Sequence, residues 1–195
     1  MGRRVTDNQH LETRALEDEL LAVRCQLGER EAFDLLTDRW HQPLWRYARR
    51  VTGSDDAASE VVQDVWLRVL RGIARLREPA RLRSWLFGIA HRTLMDRLRG
   101  RYANAAVTDI DIASLPALDT DDEIEADLES LGDALARLPL VERNVLTLFY
   151  LRELTLVEVA DTLQIPVGTV KSRLFRARSL LRQEVTASAL KGASR

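Results

Sequence analysis

The chain has 195 residues, 46% of them apolar, which is enough for one large or two small packed domains. Aromatic residues are only 6%, and Ala, Leu, Arg, Glu and Asp dominate, which favours helices over sheet. A single cysteine, Cys25, excludes an internal disulfide, and a net charge of −1 conceals a partition: residues 1–101 carry +4, residues 102–136 carry −10 with no Lys or Arg, and residues 137–195 carry +5. Two basic blocks flanking an acidic one point to an anionic partner. The N-terminus lacks the apolar core of a signal peptide, and no apolar run approaches the roughly 20 residues of a membrane helix, so the expectation is a cytoplasmic protein without membrane insertion.

Residues 1–15 read as an N-terminal arm. From Leu16 to Leu27 apolar positions recur at helical spacing, with Gly28 as the stop. A second helical segment covers about Glu31 to Val51, with an interruption expected near Pro43. Gly53-Ser54-Asp55-Asp56 is a turn followed by a cap. In the next helix Val61, Val62, Val65, Trp66, Val69, Leu70 and Ile73 form one broad apolar face, leaving Gln63, Asp64, Arg68 and Arg71 elsewhere. After a loop around LREPAR comes RSWLFGIAHRTLMDRLRGR, again helical. Residues 71–101 hold nine Arg against Glu78 and Asp96, a strong phosphate footprint.

Residues 102–127 read as an acidic linker, and 128–187 as a second helical domain followed by a tail, 188–195. Two helices meet near Leu138-Pro139. Thr155 and Glu158 have the spacing of a capping box. A short turn, Gln164-Ile165-Pro166, leads into a last helix. On it Val170, Leu174, Ala177 and Leu181 make a narrow apolar stripe, while Ser172, Phe175 and Arg176 lie opposite and Lys171, Arg173 and Arg178 flank it. Two helices joined by a tight turn, the second basic on its free face, describe a helix-turn-helix. Gly168 and Thr169 leave amide N–H groups open to a phosphate at the helix N-terminus. The cations can neutralise phosphates, and the outer face can reach base edges. The plain alternative is a solvated basic helix.

These motifs resemble those of a known family. TLVEVADTLQIPVGTVKSRLFRARSLL resembles region 4.2 of extracytoplasmic-function sigma factors, and ARLPLVERNVLTLFYLREL resembles their region 4.1. VVQDVWLRVLR is similar to region 2.2, and RSWLFGIAHRTLMDRLRGR to regions 2.3 and 2.4. The resemblance covers about residues 16–101 and 128–185. Departures are Leu82 in place of an aromatic, Arg92 in place of Asn and Glu60 in place of Asp.

The resemblance implies an all-α protein of two small domains, sigma region 2 (16–101) and sigma region 4 with its helix-turn-helix (128–187), joined by the acidic linker. It implies that the chain directs core RNA polymerase to promoters. The first domain would bind the polymerase clamp helices through Gln63, Asp64 and Arg68 and open the −10 element through Arg83, Trp85, Arg92, Arg97 and Arg99. The segment Leu76 to Ser84 would capture a flipped base. The second domain would contact the polymerase flap and read the −35 duplex through Thr169, Lys171, Ser172, Arg173, Phe175 and Arg176. The linker would thread through basic channels of the polymerase as a nucleic-acid mimic, or would simply be solvated. An anti-sigma factor is a further implied partner.

No enzyme is expected. Asp109-Ile110-Asp111 lies in the linker, and the run from Asp119 to Glu123 begins like an EF-hand loop but has Ile124 where Gly is needed. His10, His41 and His91 are scattered, Cys25 reads as a buried thiol, and no phosphate-cradling glycine loop is present, so neither a metal nor a cofactor is implied. The competing function is a helix-turn-helix regulator whose N-terminal half senses a ligand and which binds its operator without polymerase.

Overall fold

A computed structural model describes the backbone of residues 3–103 and 134–192 and the side chains of 13–100 and 134–186. Nearly all of the acidic linker therefore lies outside the described residues. The described elements are helices throughout: α1 (Arg3–Gln26), α2 (Arg30–Thr52), α3 (Asp55–Gly72) and α4 (Leu82–Ala103), then α5 (Leu140–Leu146), α6 (Leu156–Leu163) and α7 (Val167–Gly192). Two short 3-10 turns, Ile73–Arg75 before the LREPAR stretch and Pro79–Arg81 at its end, link α3 to α4, and a π turn, Thr147–Leu151, extends α5.

Local signals set most boundaries. Gly28 sits at φ +83°, and the bonds Glu29 N–H to Arg24 C=O and Gly28 N–H to Cys25 C=O complete a Schellman stop for α1. Ser54 caps α3, its Oγ accepting from the Ala57 amide. Thr155 and Glu158 form the reciprocal capping box of α6, at 3.2 and 2.7 Å.

Two expectations change. The helix does not begin at Leu16: α1 starts at Arg3, inside the expected arm. That stretch has no apolar period, but neither Gly nor Pro interrupts it up to Gln26. Nor does α2 break at Pro43. The helix loses one backbone bond there but continues, because Leu36, Trp40, Leu44, Tyr47, Ala48 and Val51 are buried on both sides of it. Pro139 caps α5 from outside its first turn, in extended geometry.

The first module packs α1 to α4 around Leu36, Leu44, Val65, Val69, Leu86 and Phe87. Phe87 meets Trp40 and Tyr47 edge-on, at centroid distances of 6.1 and 5.6 Å. The second packs α5, the π turn, α6 and α7 around Leu138, Leu148, Leu154, Val159, Val170, Leu174 and Ala177. The stripe read on the last helix is thus its core face. The two modules are not separate in space: α4 lies against α6, and one continuous cluster of buried residues runs through both. Gly88 is at that crossing, where a Cβ would stand 3.8 Å from the Thr162 carbonyl oxygen.

Phe87 and Phe175 make a paired test of this packing, since one is 1% and the other 75% exposed. Phe87→Ala should cost about 3–5 kcal/mol in urea unfolding, and Phe175→Ala less than about 0.5 kcal/mol.

Candidate nucleic-acid interface

The helix-turn-helix is built by α6, a left-handed Gln164 (φ 55°) and α7. The Ile165 amide returns to the Ala160 carbonyl, which ends α6 and redirects the chain within three residues. The first bond of α7 runs from the Val170 amide to the Pro166 carbonyl, so the amides of Gly168 and Thr169 have no intrahelical acceptor. Nothing lies within 4 Å of where a Cβ on Gly168 would be, which leaves that end open to a ligand.

All six candidates on α7 share one surface. Lys171, Ser172, Phe175 and Arg176 are exposed, and Thr169 and Arg173 are half-buried at the edge. Their hydrogen bonding is partly committed. Ser172 Oγ donates to the Thr169 carbonyl at 3.0 Å, and Arg176 Nε stands 3.3 Å from the carboxylate of buried Glu142. That carboxylate orients the Arg176 side chain, which remains 71% exposed. Arg178 lies over the Tyr150 ring, 5.4 Å from its centroid. The sequence reading missed both Glu142 and Tyr150. Their approach to α7 is tertiary and has no local signal.

The five candidates on and before α4 do not form one patch. Arg92 and Arg99 are exposed. Arg83 is half-buried and donates through Nη2 to the Arg152 carbonyl of the second module. Trp85 packs against Gly72, where a Cβ would come within 3.1 Å of the indole. Arg97 faces α3 and spans Glu60 (2.6 Å) and Asp64 (2.7 Å).

Asp64 and Arg97, read from sequence as contacts for two different partners, are therefore bonded to each other. Arg68 is likewise held by Asp96 at 3.1 Å, which also takes Arg99 at 3.3 Å. Gln63 is exposed. Beside it stand Leu67 and Leu70, 46% and 53% exposed. Leu70 was read as part of the buried face, but that face centres on Val61, Val65 and Val69, and Leu70 lies about 140° from Val65. Leu67 and Leu70 add an apolar element to the free face of α3 that residue polarity alone did not suggest.

The seam between modules is polar at its centre. Tyr47, fully buried, lies 3.2 Å from His91 Nδ1 and 3.4 Å from Asn144 Oδ1, so an α2 hydroxyl reaches into both modules. Thr162 Oγ1 donates to the Ser84 carbonyl at 3.3 Å, and Arg81 meets Asp161 at 3.1 Å. Burial, and then the charges of Arg92, Arg99 and Arg173, push the His91 imidazole down to about 4. Thus Arg173 of the last helix shares an electrostatic neighbourhood with the two open cations of α4. Cys25 is a buried free thiol, raised mainly by that burial. Among the described residues no three His, Cys, Asp or Glu side chains gather as metal ligands, and no helix is long and apolar enough to cross a membrane.

Fold and surface together define a two-module helix-turn-helix protein of the DNA-binding class. Two family descriptions match it: Sigma-70 region 2 over residues 36–103 and Sigma-70 region 4 over residues 128–181. The extracytoplasmic-function sigma factor SigL of Mycobacterium tuberculosis is 37% identical over 150 residues, covering 75% of this chain and 85% of the relative. SigW of Bacillus subtilis is 28% identical over 171 residues, covering 81% and 91%. Among solved structures, CnrH in complex with the cytosolic domain of CnrY superposes with a TM-score of 0.67 at 25% identity, covering 87% of this chain and 97% of that one. RpoE of Bartonella quintana, solved with the anti-sigma factor NepR, gives 0.64 at 21% identity over 79% and 96%, a likeness of fold. The chain belongs to the sigma-70 family, among its extracytoplasmic-function sigma factors, and acts in promoter-directed initiation by RNA polymerase.

His91 makes the seam sensitive to acid. The packed arrangement holds the imidazole neutral down to about pH 4, against about 6.5 for a free imidazole; Arg92 and Arg99 lie on its own helix, so only the Arg173 charge and the burial contributed by the second module depend on the seam. Between those values the open form binds more protons. Seam stability is therefore complete above about pH 6.5 and declines as pH falls toward 4, by the part of the shift that the second module supplies. A dye pair spanning the modules should report separation at pH 5 but not at pH 7.5. His91→Gln, which can still accept from Tyr47, should flatten that profile.

Proposed function

We propose that the α7 face reads the −35 duplex and that the first module, through the open cations of α4 and the free face of α3, engages the −10 region and the polymerase clamp. The observation that carries this is the division of α7. Its apolar stripe is spent on the core, while Lys171, Ser172, Phe175 and Arg176 project together from the helix that follows the turn. On this reading Lys171 and Arg173 set register by phosphate contact, as do the amides of Gly168 and Thr169, and Ser172, Phe175 and Arg176 face the bases. On α3 the contact combines Gln63 with Leu67 and Leu70. Asp64 and Arg68 act by holding α4 in register as much as by touching a partner.

Reading both elements at once requires the seam to open. The two elements are centred about 25 base pairs apart, roughly 85 Å of B-form duplex. The arrangement described here sets Arg173 beside Arg92 and Arg99, so it is a closed state, and promoter binding exchanges the Tyr47, Arg83 and Thr162 bonds for contacts to DNA and polymerase. Partner control fits the same geometry. CnrH and RpoE were each solved bound to another chain, RpoE's being an anti-sigma factor. A regulator that clasps both modules here would keep the recognition helix away from duplex. The chain carries no catalytic group on this reading and works in the cytoplasm, where its polymerase is.

Run-off transcription with core polymerase tests this reading. The wild-type chain should start transcripts on a subset of genomic promoters. Arg176→Ala should cost about 1–3 kcal/mol of promoter affinity and relax discrimination at one position of the −35 element. Equal loss on every promoter would make Arg176 a phosphate contact. Operator binding without polymerase would instead favour a ligand-sensing regulator. Leu67→Gln combined with Leu70→Gln should weaken core binding at least tenfold in a pull-down without lowering the melting temperature. Unchanged retention would remove α3 from the polymerase contact.

A further inference from the structure

A cleft of about 610 Å³ opens along the seam, with walls from α1, α2, α4 and the segment after the π turn. Its carboxylates are mostly engaged. Glu17 and Asp18 are held by Arg39 at 3.1 and 3.0 Å, and Glu158 is bound to the Thr155 amide. Two of its arginines keep bonds unmade, although Arg83 Nη2 donates to the Arg152 carbonyl. Arg83 and Arg152, one from each module, both line the cleft, and the Nε of each is buried without any acceptor. Next to them runs a row on α2. Arg39, Pro43, Arg46 and Arg50 recur at i, i+4, i+7 and i+11 and so share one helix face. Beyond Arg39, no carboxylate among the described residues pairs with any of this set. The crowding has a measurable sign: burial first, then the charges of Arg46, Arg50 and Arg83, bring the Arg152 guanidinium down to about 10.

Half-buried arginines whose buried Nε groups lack acceptors, set among like-charged neighbours, form an incomplete site. The missing component must be anionic, must offer several acceptor oxygens and must bridge two modules. We infer that the seam cleft is a binding site for a phosphate group, with Arg83 and Arg152 as its two sides and Arg46 and Arg50 supplying attraction from α2. A tetrahedral dianion suits guanidinium forks better than a single carboxylate does, because it can accept from two of them at once. The cleft is larger than one phosphate and within the usual range for a small phosphorylated molecule. Because the two sides belong to different modules, such a ligand binds the closed state alone and shifts the population toward it. Only that consequence for transcription rests on the promoter reading above. The site itself stands on the arginine geometry.

The experiment titrates the full chain by calorimetry at constant ionic strength with two probes, pyrophosphate and a twelve-nucleotide single strand of arbitrary sequence. Saturable binding of pyrophosphate, weakened at least tenfold by Arg152→Gln and by Arg50→Gln but not by Arg30→Gln, supports a free phosphorylated ligand. Arg50 is surface-exposed, so its variant tests the site even if Arg152→Gln loosens the fold. Binding of the strand alone, with the same dependence on Arg152 and Arg50, supports the site and identifies nucleic acid as the source of its phosphate. The inference is overturned if neither probe saturates, or if Arg30→Gln weakens binding as much as the seam variants do.

Discussion

Helix α4 is buried from two sides, and the rest of the structure depends on that constraint. Leu86, Phe87, Leu94 and Leu98 close the first module, while the turn around Ser84 and Gly88 accepts α6 of the second. A helix sandwiched in this way has no single apolar face, and α4 accordingly carries apolar residues around most of its circumference. Gly88 lies at the crossing, and Thr162 opposite supplies a hydrogen bond to the Ser84 carbonyl. The same helix also bears Arg92 and Arg99, both exposed. Both are exposed with the seam closed, on the helix that α6 covers from its other side.

Arginine is asked to do several distinct things in this chain, and charge alone does not separate them. Arg143 is almost wholly buried and donates to the Ala136 and Leu138 carbonyls, closing the end of the helical segment at 134–136. Arg97 fastens α4 to α3 through two carboxylates. Such partly exposed pairs are each worth about 1 kcal/mol or less, so their contribution is register more than stability. Arg83 and Arg152 meet across the seam. Their buried Nε groups still lack acceptors, and the exposed set on α7 and α4 carries the remaining positive charge. Compositional excess of arginine thus overstated the footprint on the first module and understated the structural use of the residue.

The seam joins a polar centre to a continuous apolar cluster. Its centre is a tyrosine hydroxyl between an imidazole and an amide, with main-chain carbonyls as acceptors nearby. Each of these groups would be hydrated in the open state, so the net gain on closing is small even though the geometry is selective. An interface made only of leucine would have held the modules permanently. A purely charged one would have failed to exclude water from Tyr47.

Sequence alone determined most helices, their caps and the two-module plan, because periodicity, capping pairs and the glycine at position 28 act within a few residues; the start of α1 and the continuity of α2 through Pro43 it did not. It also determined the recognition helix, since the stripe from Val170 to Ala177 and the cations around it are a property of one helix. What tertiary structure decided was which polar groups remain available. Asp64 and Arg97 are about thirty residues apart and cancel. Glu142 orients Arg176 from another helix, and Leu70 turns outward because Val61, Val65 and Val69 claim the core side. Above all, no local pattern revealed that α4 would be covered by α6. That follows from two apolar surfaces, distant in the chain, having nowhere else to be buried.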